Sequence, residues 1–246
     1  MADYDETTYG EGIADLYDQF YPSAEPAQID RLAELDGDGR ALELAIGSGR
    51  VALPLQARGV DVRGIDASRA MVARLRDKPG GADIPVTMGN FADVAVEGQF
   101  DLIYIVFNTF FALRAQEEQI RCFGNVAAHL KPEGCFVIEA FVPDLSRFDR
   151  GQRVSVIGLD EDRVRLEASM HDPVRQLVRS KHILLTETGI RFFPVQLRYA
   201  WPSELDLMAR LAGLTLAERW GGWEQEPFTA QSGRHVSLYK HSNASQ

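Results

Sequence analysis

The chain has 246 residues, 45% hydrophobic and 25% charged, the balance of an ordinary globular protein with enough length for one ample core. Its formal net charge is −10, and nearly the whole excess lies in Met1–Arg40, where eleven acidic residues face two basic ones. That bias argues against nucleic acid as a partner, and the segment is read either as a solvated face or as an entry that draws in a cationic acceptor such as an amine.

In chain order, Leu16, Tyr17, Phe20 and Tyr21 share one face of a helix predicted over Asp15–Tyr21, which Pro22 stops. A second helix is predicted over Pro26–Leu35, ending at the turn Asp36-Gly37-Asp38-Gly39. A regular alternation then begins. Ala41–Ile46 is an apolar strand closed by Gly47-Ser48-Gly49, followed by a helix over Val51–Arg58 and a strand over Val60–Ile65. Ser68–Asp77 is an amphipathic helix with Ser68 as its cap. Strands follow at Ile84–Met88 and Phe100–Val106, then a helix over Ala115–Leu130, a turn at Lys131–Gly134 and a strand at Cys135–Val142. Such alternation builds a parallel sheet with helices on both faces.

Beyond Pro143 the period changes to two. Val164, Leu166, Ala168 and Met170 alternate with Arg163, Arg165, Glu167 and Ser169, and the runs Leu177–Thr186 and Ile190–Tyr199 are joined by a hairpin-type connection. The chain returns to helix at Pro202–Ala212 and ends in strands at Leu214–Trp220 and His235–His241, with a polar tail, Lys240–Gln246, expected to fray. The expected fold is a doubly wound α/β sheet with a small antiparallel sheet inserted as a lid. Residues 1–39 form cap helices, 40–143 and 202–241 the main unit, and 144–201 the lid over the substrate region.

No stretch approaches the ~20 apolar residues of a membrane span, and Met1–Glu11 lacks a secretory pattern. Cys122 and Cys135 form no metal-ligand spacing and no Cys-x-x-Cys pair, the five histidines show no metal pair, and no metal site is expected. The expected setting is cytoplasmic, without membrane or nucleic-acid partners, with a homodimer left open.

The chemistry sits at Leu42-Glu43-Leu44-Ala45-Ile46-Gly47-Ser48-Gly49-Arg50. Glycines at the carboxyl end of a first parallel strand let the backbone pass close under a ligand. Gly47-x-Gly49-x-x-Ala52, with Asp66 19 residues after Gly47, also fits a loose dinucleotide pattern. Glu43 weighs against a dinucleotide, because a carboxylate there repels a pyrophosphate and favours a ligand carrying positive charge. Asp66 ends the second strand, where a carboxylate accepts both hydroxyls of a ribose.

These segments resemble the motifs of class I S-adenosylmethionine-dependent methyltransferases. The glycine turn is similar to their first motif. Gly64-Ile65-Asp66-Ala67-Ser68-Arg69-Ala70-Met71 is similar to their second-strand motif, and Gly89-Asn90-Phe91-Ala92 to the turn beside adenine. Phe100–Ile103 with Phe107-Asn108-Thr109 resembles their fourth-strand motif, and Leu130–Gly134 the turn before the fifth strand. Two positions depart from the family pattern. Ala45 replaces the first glycine and narrows the pocket near the methionine tail, and Asn90 replaces an acid. The resemblance implies seven strands with the last antiparallel, and S-adenosylmethionine as cofactor. It implies cofactor contacts from Glu43, Ala45, Gly47, Ser48, Gly49, Asp66, Ala67, Met71, Gly89, Asn90, Phe91, Val106 and Phe107. Arg50, Tyr17 and Tyr21 are candidates for the methionine carboxylate, with solvent exposure or plain packing as their alternatives.

The leading helix and the inserted sheet further resemble small-molecule methyltransferases of the amino-sugar and glycine N-methyltransferase type. Methyl transfer is an in-line displacement, so the protein supplies alignment and dry surroundings. His182, Tyr199 and Asn108 are the candidates to accept a proton or orient the acceptor. The acceptor expected is a small metabolite, an amine slightly ahead of a hydroxyl. A nicotinamide-dependent oxidoreductase using the same turn and a non-catalytic S-adenosylmethionine-binding protein are the alternatives.

Overall fold

The apolar run after Gly39 becomes the centre of a sheet. In the computed structural model, which describes residues 4–37 and 39–242, β1 (Arg40–Leu44) lies between β2 (Asp61–Asp66) and β4 (Phe100–Ile105), parallel to both. With β3 (Val86–Met88), β5 (Leu130–Phe141), β10 (Leu214–Trp220) and β11 (Arg234–His241) it forms a seven-stranded sheet of order β10-β11-β5-β4-β1-β2-β3. β11 runs antiparallel to both its neighbours, as expected of the last strand. The order reverses direction at β1 and β4. Ligands of open α/β sheets bind at such a switch point, beyond the carboxyl ends of the strands.

Each face of this sheet is covered, which is why β1, β4 and β5 are apolar without alternation. On one face Leu42, Ile103, Ile105, Phe136 and Ile138 pack with Phe123 and Val126 of α5 (Gln116–His129) and Met208 of α6 (Pro202–Leu211). On the other, Ala41, Leu102, Tyr104 and Val137 pack with Leu32 of α2 (Pro26–Asp36), Leu55 of α3 (Ala52–Gln56) and Leu75 of α4 (Arg69–Arg76).

Several boundaries differ from the sequence reading. The first helix, α1, spans Thr8–Phe20 and so begins before Asp15. α3 is shorter than Val51–Arg58, since the chain leaves the helical region toward Gly59 at φ +91°. The expected turn Lys131–Gly134 lies inside β5, where the pairing with β4 jumps from Phe100–Leu130 to Leu102–Cys135, so Pro132, Glu133 and Gly134 loop out of one continuous strand. Asp38 of the Asp36–Gly39 turn and residues 243–246 of the polar tail lie outside the described residues. Among the described residues no helix is long and apolar enough to cross a membrane.

The inserted sheet is four-stranded, in the order β6 (Gln152–Leu159), β7 (Arg163–Asp172), β8 (Leu177–Thr186) and β9 (Gly189–Arg198), all antiparallel. Sequence reading missed β6. The alternation in β7 has an orientation that the sequence left open. Glu167 and Ser169 turn toward the main sheet, while Met170 is 54% exposed, with Val154 and Val156 on the same outer face at 72% and 63%. α1 bridges the two sheets, its Ile13 packing with Leu184 and Phe193 of the lid.

Candidate functional site

One cavity of about 410 Å³ lies between the carboxyl ends of β1, β2 and β4, α1 and the inner face of the lid, in the size range of small-molecule sites. Every residue singled out from the sequence lines it except Gly49 and Gly89. Those two act on the backbone instead. Gly49 adopts φ +77° with Leu75 packed where a Cβ would stand, and Gly89 N–H donates to the Asp66 carbonyl at 2.9 Å.

The turn after β1 holds Ala45 at φ +60° and Gly47 at φ +58°. A left-handed alanine is strained by ~1 kcal/mol, partly offset by the lower unfolded-state entropy of alanine. Ala45→Gly is therefore expected to raise the melting temperature by ~1–3 °C in thermal unfolding. A lowered melting temperature would show that the Ala45 methyl contributes packing that outweighs this strain.

Asp66 is 8% exposed, and its carboxylate is fixed in place before any ligand arrives. Oδ2 accepts from Gly47 N–H at 2.7 Å and Oδ1 from Ser68 N–H at 2.8 Å. Burial raises its pKa above the ordinary value, and the backbone N–H groups oppose that rise. Each oxygen keeps a lone pair toward the cavity for a diol.

Glu43, beside Tyr104 in register, is 4% exposed and accepts from the Tyr104 hydroxyl at 3.0 Å. Burial pushes its carboxyl up to about 8, and nearby Arg50 opposes the rise. Arg50 lies over the Phe107 ring at 4.7 Å, and its buried Nε has no hydrogen-bond partner. An acid in no direct ion pair among the described residues and a guanidinium with an unpartnered donor thus face the same cavity. That donor set fits a zwitterionic amino-acid tail, as S-adenosylmethionine carries, and suits a pyrophosphate poorly.

Phe107 and Asn108 follow β4 with φ +58° and +65°. The turn is held by Glu139, whose Oε2 accepts from Phe107 N–H at 3.0 Å, and by Asn108 Oδ1, which accepts from Phe141 N–H at 2.6 Å. Asn108 therefore presents its amide nitrogen rather than its oxygen as the free group. Asn90 is similar: Oδ1 accepts from Ala92 N–H at 2.9 Å, leaving the nitrogen as donor.

α1 closes the cavity from outside. The Tyr17 and Tyr21 rings pack at a tilt with centroids 5.1 Å apart, and Tyr21 meets Phe107 edge-on at 4.8 Å. Tyr9, Gly10, Glu11 and Asp18 were missed by sequence reading. Gly10 approaches so closely that a Cβ would lie 2.6 Å from that of Ser68. Glu11 accepts from Ser68 Oγ at 2.9 Å and Ala70 N–H at 3.1 Å. Asp18 accepts from Ser48 Oγ at 2.6 Å and Lys78 Nζ at 2.8 Å. Asp15 pairs with Arg191 of the lid at 2.6 Å, and Glu25 pairs with Arg234. The acidic N-terminal segment is thus in good part a set of tethers. The four-residue spacing of Tyr9, Ile13, Tyr17 and Tyr21 is the signal that would have extended the helix backwards.

The lid supplies the roof. His182 lines the cavity with its pKa lowered by burial. Tyr199 is 2% exposed, its pKa is raised by burial, and its hydroxyl lies 3.0 Å from His171 Nε2. Phe148 stacks on His171 at 4.9 Å. Glu167, unmarked in the sequence reading, lines the same cavity.

The chain is similar to several known proteins. A family described as a methyltransferase domain matches residues 41–134. The cypemycin N-terminal methyltransferase of a Streptomyces species is 30% identical over 93% of this chain and 95% of its own. The dTDP-4-amino-2,3,4,6-tetradeoxy-D-glucose N,N-dimethyltransferase of Saccharopolyspora spinosa is 27% identical over 76% and 78%. The solved CcbJ methyltransferase of Streptomyces caelestis superposes with a TM-score of 0.91 and 41% identity, over 97% of this chain and all of that one. These likenesses set aside the nicotinamide alternative. The chain belongs to the class I S-adenosylmethionine-dependent methyltransferases and uses S-adenosylmethionine to methylate small-molecule acceptors.

Proposed function

We propose that the acceptor atom is an amine nitrogen of a small metabolite. The observation that carries this reading is the roof of the cavity, where the Glu167 carboxylate of the lid lines the same cavity as the cofactor-side residues. Among its relatives, the amino-sugar N,N-dimethyltransferase acts, by its name, on nitrogen, and the cypemycin methyltransferase acts at an N-terminus. S-adenosylmethionine supplies an electrophilic methyl group on a sulfonium. The chain's own residues bind, orient and exclude water. Asp66 takes the ribose hydroxyls, Asn90 and Phe91 border the adenine, and Glu43 with Arg50 holds the two charges of the amino-acid tail. His182, Tyr199 and the Asn108 amide face the acceptor. In this reading residues 1–39 cap the site, 40–143 and 202–241 carry the cofactor, and 144–201 carry the acceptor.

Calorimetric titration with S-adenosylhomocysteine, with NAD and NADP as controls, tests the cofactor part. Binding of S-adenosylhomocysteine alone is expected. Binding of a nicotinamide nucleotide in its place overturns the reading of Glu43.

A further inference from the structure

We propose that Glu167 is the group that receives and selects the acceptor amine; this deepens the methyltransferase reading and rests on it. In β7 Glu167 lines the cavity with Ser169 buried beside it, while Met170 of the apolar set is 54% exposed. A strand serving only as a hydrophobic cover would face the other way. Glu167 is held by a small buried network. Its Oε1 accepts from Ser169 Oγ at 2.9 Å and from Ser180 Oγ at 3.0 Å, and the two hydroxyls lie 2.8 Å apart. Both serines are under a tenth exposed, at 5% and 8%. The two buried hydroxyls are satisfied by Oε1, and in return they fix the carboxylate in one orientation.

The second oxygen, Oε2, has no hydrogen-bond donor among the described residues. Arg147 Nη2 stands 3.6 Å away, beyond direct bonding, and the Glu167 side chain is only 16% exposed. Across the ladder His182 pairs in register with Glu167, and burial holds its imidazole toward the neutral form. A partly desolvated carboxylate with one oxygen free of hydrogen bonds, its cation Arg147 held off at 3.6 Å, recognises an ammonium or an N–H donor better than a hydroxyl acceptor.

The acceptor binds as its ammonium against Oε2. It then loses one proton to water at the cavity mouth, and the neutral amine stays held through a remaining N–H. Its lone pair forms the N–C bond as the C–S bond breaks, and that bond's electron pair stays on sulfur. The product leaves as the methylated ammonium. Glu167 thus orients the nitrogen and takes no part in bond breaking.

The experiment measures transfer of tritiated methyl from S-adenosylmethionine to glucosamine, alanylalanine and catechol, with wild type and Glu167→Gln in parallel. Calorimetry with S-adenosylhomocysteine is run on both. Label in an amine probe is expected, with KM for that amine raised ~10- to ~100-fold in the variant, the loss of one charged hydrogen bond, and kcat changed far less. S-adenosylhomocysteine affinity stays at the wild-type value, and Glu167→Asp restores part of the loss. An unchanged KM, a parallel fall in S-adenosylhomocysteine affinity, or label in catechol and in neither amine overturns the proposal. Failure of S-adenosylhomocysteine to bind the wild type is a different result, since it strikes the methyltransferase reading itself.

Discussion

Asp66→Ala is expected to weaken S-adenosylhomocysteine binding by ~2–4 kcal/mol, a ~30- to ~1,000-fold rise in Kd by calorimetry. The magnitude comes from two hydrogen bonds to a charged acceptor. It lies toward the upper end because the carboxylate is already aligned by Gly47 and Ser68 N–H groups and loses little freedom on binding. The substitution also leaves those two N–H groups without their partner. Ser68 caps α4 by accepting from Met71 N–H, so some loosening of that helix start is expected in the melting temperature. The two effects separate cleanly: a lowered melting temperature with unchanged Kd would sink the placement of the ribose at Asp66, whereas a raised Kd in a variant that melts near the wild type supports it.

The parts of the site legible in the sequence are those where local backbone geometry dictates residue type. Gly47 and Gly49 are needed for φ values of +58° and +77°, and Asp66 ends a strand whose register with β1 places it beside the glycine turn. Periodicity settled the main sheet for the same reason, since strands buried on both faces are predominantly apolar. What stayed hidden depends on packing between distant segments. Gly10 reads as an ordinary helix glycine until α1 is seen to lie against Ser68. Glu11, Asp15 and Asp18 read as a charged face, although each bonds to a group at least thirty positions away. Alternation in β7 announces two faces without saying which one meets the cavity, so Glu167 drew no notice. β6 escaped because its alternation breaks where the register shifts between Val156 and Gly158, a bulge that reads as a loop. The turn residues Pro132 and Gly134 mark a real departure from regular pairing, but one that a strand absorbs.

Glu43 makes binding depend on pH in a defined direction. In the unliganded protein burial holds its carboxyl at about 8, so near pH 6 it is largely protonated. The ammonium of the amino-acid tail pairs with the ionised form, so binding below that value releases a proton. Affinity for S-adenosylhomocysteine should then rise ~10-fold per pH unit from pH 6, toward ~100-fold at pH 8, and level off above it. Arg50 and the tail's own charge favour ionisation, while Asp66 opposes it. Stability of the unliganded protein follows the opposite course. The folded state keeps a proton that the unfolded chain releases near the ordinary glutamate value of 4.5, so this group's contribution is full below that value and is lost as pH rises to about 8. The thermal shift produced by S-adenosylhomocysteine is accordingly larger at pH 8 than at pH 6. Calorimetry in buffers of differing ionisation enthalpy counts the released proton directly. Glu43→Gln, which can still accept from the Tyr104 hydroxyl, should flatten the pH dependence and bind more weakly at pH 8. A slope that persists in this variant would assign the proton to another group, and a flat wild-type profile would remove the tail ammonium from Glu43.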